Sequence, residues 1–178
     1  TLVRASGILL LPVYLRLMTQ DEFGVYAYMN ALVAAVGLVL GFGLYTAQAK
    51  LFFEYPEKDR AAVLFTLNIL LAGFLSVAVV TICGLGIDFR LARLAMRPEI
   101  SFEDFRGPMI AGVISSVLSL HFLSYLYLRD RLGFARLFNI ARVVMMNGAS
   151  ILAIAIEDGN SAVLRLKFAY GTEIAIVA

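Results

Sequence analysis

The chain has 178 residues, of which 61% are hydrophobic and 16% charged, and its mean hydropathy is +0.87. That composition excludes an ordinary soluble domain, and the balance of 15 basic against 13 acidic residues excludes the strong positive field of a nucleic-acid binder. A single cysteine, Cys83, excludes an intrachain disulfide framework.

Crossing a hydrocarbon core takes about 20 apolar residues in a helix, and unbroken apolar runs point to helices rather than to the alternating strands of a barrel. The predicted fold is therefore all-α, a polytopic transmembrane helix bundle of about six spans. The first, 2–18, carries Pro12 and Arg16 within its apolar run and breaks at Thr19-Gln20-Asp21-Glu22. The second, 23–49, is nearly uncharged and holds Gly37 and Gly41 in GxxxG spacing, with Gly43 beside them. A third follows at 61–87.

The next stretch, DFRLARLAMRPEISFEDFR, mixes both signs of charge. Two readings stand for it, an amphipathic helix lying in the interface or a solvated charged loop. The fourth span, 108–128, opens at Pro108, where a helix can spare an N–H. It offers Gly112 with Ser116 and Ser115 with Ser119 as small-residue pairs four apart, which let helix backbones approach. The fifth is 132–156, despite Arg136 and Arg142. The sixth, 162–178, is diluted by Arg165, Lys167 and Glu173. Because the chain starts without methionine and stops while still apolar, it reads as one truncated bundle of a larger protein. The first span lacks the cleavage pattern of a signal peptide.

Lysine and arginine in short loops favour the cytoplasmic side. A cytoplasmic N-terminus places Lys50, Lys58 and Arg60 inside, with Arg129, Arg131 and Arg136. The loop at Glu157-Asp158-Gly159-Asn160 then lies outside and has no basic residue. Arg90, Arg93, Arg97 and Arg106 break the rule on that outer side.

Ionisable groups at membrane depth are costly and tend to mark a pathway or an internal ion pair. Arg142 lies about 15 Å into its span at 1.5 Å per residue, and Glu173 reaches a similar depth from the other end. An Arg142–Glu173 ion pair is expected, either as part of a pathway or as a purely structural bridge. Asn139, three residues before Arg142, shares its helix face. For Asn30, Asn68, Asn139 and Asn147 interhelical hydrogen bonds are expected, and for the lone His121 a packed role, because no metal-ligand spacing surrounds it. No P-loop, nucleophile elbow, HExxH or CxxC pattern is present, so no catalytic residue, metal or cofactor is predicted. Polar groups at depth without catalytic signatures favour solute transport.

One stretch resembles a known family. LLLPVYLRLMTQDEFGVYAY followed by LVLGFGLYTAQAKLFFEYPEKDRAAVL is similar to the first two helices of the O-antigen-type polysaccharide flippases. These belong to the multidrug, oligosaccharidyl-lipid and polysaccharide exporter superfamily. Leu11, Pro12, Tyr14, Arg16, Thr19, Glu22, Phe23 and Gly24 match the end of the family's first helix and its turn. Gly43, Leu44, Ala47 and Lys50 match the close of the second, with Phe52 and Phe53 after them. Lys50 departs from the usual arginine and loses the bidentate fork suited to phosphate. The likeness is specific over residues 9–64 and thins afterwards.

The resemblance implies a non-enzymatic transporter in the cytoplasmic membrane of a bacterium or archaeon. Its substrate would be a polyprenyl-pyrophosphate-linked sugar unit, and its cavity would be completed by a C-terminal bundle of the same chain. Arg16, Lys50 and Arg142, with Asn139 beside the last, are then the expected cavity residues for the anionic headgroup. For Arg16 an interfacial anchor is the equal alternative. The competing functions are a cation-coupled multidrug exporter of the same superfamily, which calls for acidic groups at depth, and a membrane scaffold that carries no solute.

Overall fold

A computed structural model of the chain describes residues 2–41, 43–96, 100–156 and 161–177. Among these residues all regular structure is helical: α1 (Leu2–Leu17), α2 (Gln20–Gly41), α3 (Leu44–Glu54), α4 (Glu57–Gly84), α5 (Ile87–Ala95), α6 (Phe102–Leu128), α7 (Leu132–Ile156) and α8 (Ser161–Val177). Among the described residues four stretches are long and apolar enough to cross a membrane: Gln20–Glu54, Glu57–Gly84, Phe102–Leu128 and Leu132–Ile156. The chain is thus an all-α, multi-pass membrane protein. α1 and α8 are shorter, at 16 and 17 residues. The expected outer loop at 157–160, and Arg97 with Glu99, lie outside the described residues.

The start of α2 explains the polar break after the first span. Thr19 and Glu22 form a reciprocal cap: the Thr19 N–H donates to Glu22 Oε2 at 2.9 Å, and the Glu22 N–H donates to Thr19 Oγ1 at 3.3 Å. Glu22 Oε1 also accepts the Ser161 N–H at 3.3 Å, so one carboxylate serves the first turns of both α2 and α8.

Two elements differ from the expected spans. The run at 23–49 is divided, because Gly43 takes a left-handed conformation (φ 65°) between α2 and α3. The span expected to open at Pro108 instead begins at Phe102, where Glu103 and Asp104 suit the positive end of the helix dipole, so Pro108 sits inside α6. The charged stretch before it contains α5, a short amphipathic helix entered through Gly86 at φ 63°.

α8 is the hub of the bundle, packing most extensively on α7 and α6 and also against α2. The main core joins Tyr14, Met18, Met29, Val33, Phe105, Val113, Ala162, Leu166 and Tyr170. Close approach depends on two glycines. A Cβ at Gly112 would stand 2.6 Å from the Tyr170 ring, and one at Gly37 would stand 2.5 Å from Ser116 Oγ. Many large apolar side chains on the outside of α2, α4 and α7, among them Leu38, Val77, Val80 and Leu152, are exposed, as a lipid-facing surface requires.

Candidate functional site

Two polar clusters lie inside the bundle, both organised by α8. The first surrounds Glu173, which is 1% exposed. Ser119 Oγ–H donates to its Oε1 at 2.6 Å, and Ser115 Oγ lies 2.9 Å from its Oε2. Arg142 Nη2 reaches Oε1 at 2.5 Å. Three helices therefore meet on one carboxylate, α6 through its serines, α7 through the arginine, and α8 itself. Ser115 and Ser119 are four apart because that spacing puts both hydroxyls on one face of α6. One turn back on α8, the Tyr170 hydroxyl donates to Asn30 Oδ1 at 2.6 Å and brings in α2.

The second cluster surrounds Arg165, one turn into α8 and 8% exposed. Its guanidinium carbon stands 3.3 Å from the Tyr14 ring centroid and 3.5 Å from that of Tyr26, with Phe23 at 5.5 Å. The planar cation is held between rings from α1 and α2, an arrangement that suits arginine better than lysine. The Tyr14 hydroxyl donates to Asn147 Oδ1 at 2.8 Å, and Asn147 Nδ2 donates to the Val143 carbonyl at 2.8 Å, tying α7 to the same cage. No carboxylate forms an ion pair with Arg165 among the described residues, and its Nη1 is buried without a hydrogen-bond partner. Arg142 and Arg165 thus differ in kind. The charge of the first is met by Glu173, and that of the second lies between the Tyr14 and Tyr26 rings.

The other expected site residues are dispersed. Arg16 is exposed on the last turn of α1. Lys50 is exposed on α3 and pairs along its own helix with Glu54 at 3.6 Å. Asn139 Nδ2 donates to the Ala135 carbonyl of its own helix at 3.1 Å. Of the remaining polar residues, Asn30 and Asn147 bond across helices, Asn68 is exposed, and His121 is buried with neither nitrogen partnered among the described residues. No group of three His, Cys, Asp or Glu side chains able to hold a metal occurs among the described residues.

The Glu173 serines read in sequence as packing positions, and Arg165 as dilution of a weak span. Nothing in the sequence marked Tyr14 and Tyr26, which sit on two different helices near the chain's other end, as partners of Arg165. Comparison with models of protein families, with curated proteins and with solved structures finds no match to this chain.

Proposed function

We propose that this chain forms part of a membrane transporter that moves a lipid-linked, phosphate-bearing oligosaccharide across the cytoplasmic membrane, and that Arg165 is its cation for the anionic headgroup. The observation that carries this reading is the buried Arg165 guanidinium, which has aromatic faces on both sides and, among the described residues, an open Nη1 and no carboxylate partner. A buried charge without a counterion is expensive, and a phosphate oxygen is the complement its remaining donors fit. The resemblance of residues 9–64 to the polysaccharide flippases supports the same substrate class.

The sequence had nominated Arg16, Lys50 and Arg142. Their environments favour other roles: an exposed helix end, an exposed intrahelical pair, and a cation already neutralised by Glu173. No catalytic step is assigned, since the work is electrostatic binding and release. The test uses cells whose surface polysaccharide depends on the intact protein, with Arg165→Gln, Arg165→Lys and Lys50→Gln compared at matched membrane levels. Arg165→Gln should abolish surface polymer while lipid-linked intermediate accumulates inside. Arg165→Lys should retain part of the export, and Lys50→Gln should be near normal. Normal export by Arg165→Gln would overturn the assignment.

A further inference from the structure

A second feature lies away from both polar clusters. Between α2, α4, α5 and α6 runs an apolar cleft of about 180 Å³, lined along its length by Leu32, Val36 and Leu40 on one side and Val79 and Ile82 on the other. Small-molecule sites run to roughly 300–1,000 Å³, so this space suits one extended chain rather than a compact solute. Leu32 to Leu40 spans eight residues of α2, or about 12 Å along the cleft. Its flanks are lipid-facing, with Val77 and Val80 66% and 70% exposed on α4 and Leu38 70% exposed on α2.

The end of the cleft at α5 is polar. Arg106 Nε donates to Asp88 Oδ2 at 2.6 Å, and Nη2 donates to the Cys83 carbonyl at 3.2 Å. With Asp88 neutralised in this way, the exposed Arg90 and Arg93 leave α5 cationic. Asp88 Oδ1 is buried and has no hydrogen-bond partner among the described residues. The same helix exposes Leu91 and Leu94, at 56% and 86%, next to those arginines. This is the pattern of a helix lying at a bilayer surface.

We infer that this cleft is a binding site for an anionic, hydroxyl-bearing phospholipid of the bilayer, with an acyl chain along α2 and α4 and its headgroup at α5. Arg90 and Arg93 meet the phosphate, and Asp88 Oδ1 accepts a headgroup hydroxyl. The site gives two of the arginines that break the positive-inside pattern a reason to stand where they do. It is independent of the transport reading and of Arg165.

The test is photolabelling of the intact protein in vesicles, using phosphatidylglycerol or phosphatidylcholine with a diazirine in the acyl chain and mapping the labelled peptides. Labelling at the cleft residues Leu32, Leu40, Val79 and Ile82 should favour phosphatidylglycerol by roughly tenfold, and Arg90→Gln/Arg93→Gln should bring the two lipids to near parity. Val36→Phe, which fills the cleft, should suppress labelling at Leu32 and Leu40. Labelling at Val77 and Val80 reports a folded, lipid-embedded protein in every variant. Equal labelling by both lipids in the unaltered protein would overturn the inference, and so would labelling at Val77 and Val80 with none in the cleft, which means that protein covers it.

Discussion

A carboxylate buried in an apolar bundle persists only when its oxygens are met, and Glu173 has Ser119 and Arg142 on one oxygen and Ser115 on the other. Removing one partner of such a pair costs more than the pair contributes, because the remaining charge is stranded. Glu173→Gln should therefore destabilise the protein by about 3 kcal/mol, the low end for a buried pair because Arg142 keeps 25% of its side chain exposed. Arg142→Gln/Glu173→Gln should be less destabilised than the sum of the single changes, read as thermal unfolding midpoints in one detergent. Strict additivity would mean the two charges do not interact. This pair was legible in the sequence, because counting helical rise from each end brings both residues to the same depth. Arg165 was not, because its partners Tyr14 and Tyr26 come from the far end of the chain and aromatic residues are common throughout it. Ser115 and Ser119 were read as packing because a small residue every fourth position looks the same whether it admits a backbone or donates to an acid.

At the scale of elements, the spans were readable from apolar run length, and the breaks inside them were not. Positive φ at Gly43 divides one long run into α2 and α3, and nothing in the surrounding apolar sequence announces it. The turn between α6 and α7 is better explained. Asp130 stands at φ 54°, its N–H bonds the Tyr127 carbonyl at 3.1 Å, and the Arg131 N–H bonds the Leu126 carbonyl at 3.0 Å. These are the two hydrogen bonds of a Schellman ending, in which glycine usually holds the left-handed position. A side chain there carries a steric penalty that glycine lacks. Asp130→Gly should accordingly stabilise the protein by about 0.5–1 kcal/mol, seen as a raised unfolding midpoint with unchanged helix content by circular dichroism. A lowered midpoint would show that the Asp130 side chain contributes more than its backbone strain costs.

Across the whole molecule, α8 gathers the other helices through polar contacts that lipid cannot replace: Glu173 to α6 and α7, Tyr170 to α2, and Arg165 to α1 and α2. In hydrocarbon, apolar packing alone gives little preference for one helix neighbour over another, so such contacts hold the arrangement. One of them differs from the rest, since Arg165 brings a charge that no acid among the described residues balances. The most direct test is binding of polyprenyl pyrophosphate and of the uncharged polyprenol to the purified intact protein, at low and high salt, for the unaltered chain, Arg165→Gln and Arg142→Gln. The unaltered protein should prefer the pyrophosphate at least tenfold and lose part of that preference as salt rises. Arg165→Gln should abolish the preference, and Arg142→Gln should keep it. Equal affinity for the two lipids, or a preference that survives Arg165→Gln, would contradict the role assigned to Arg165.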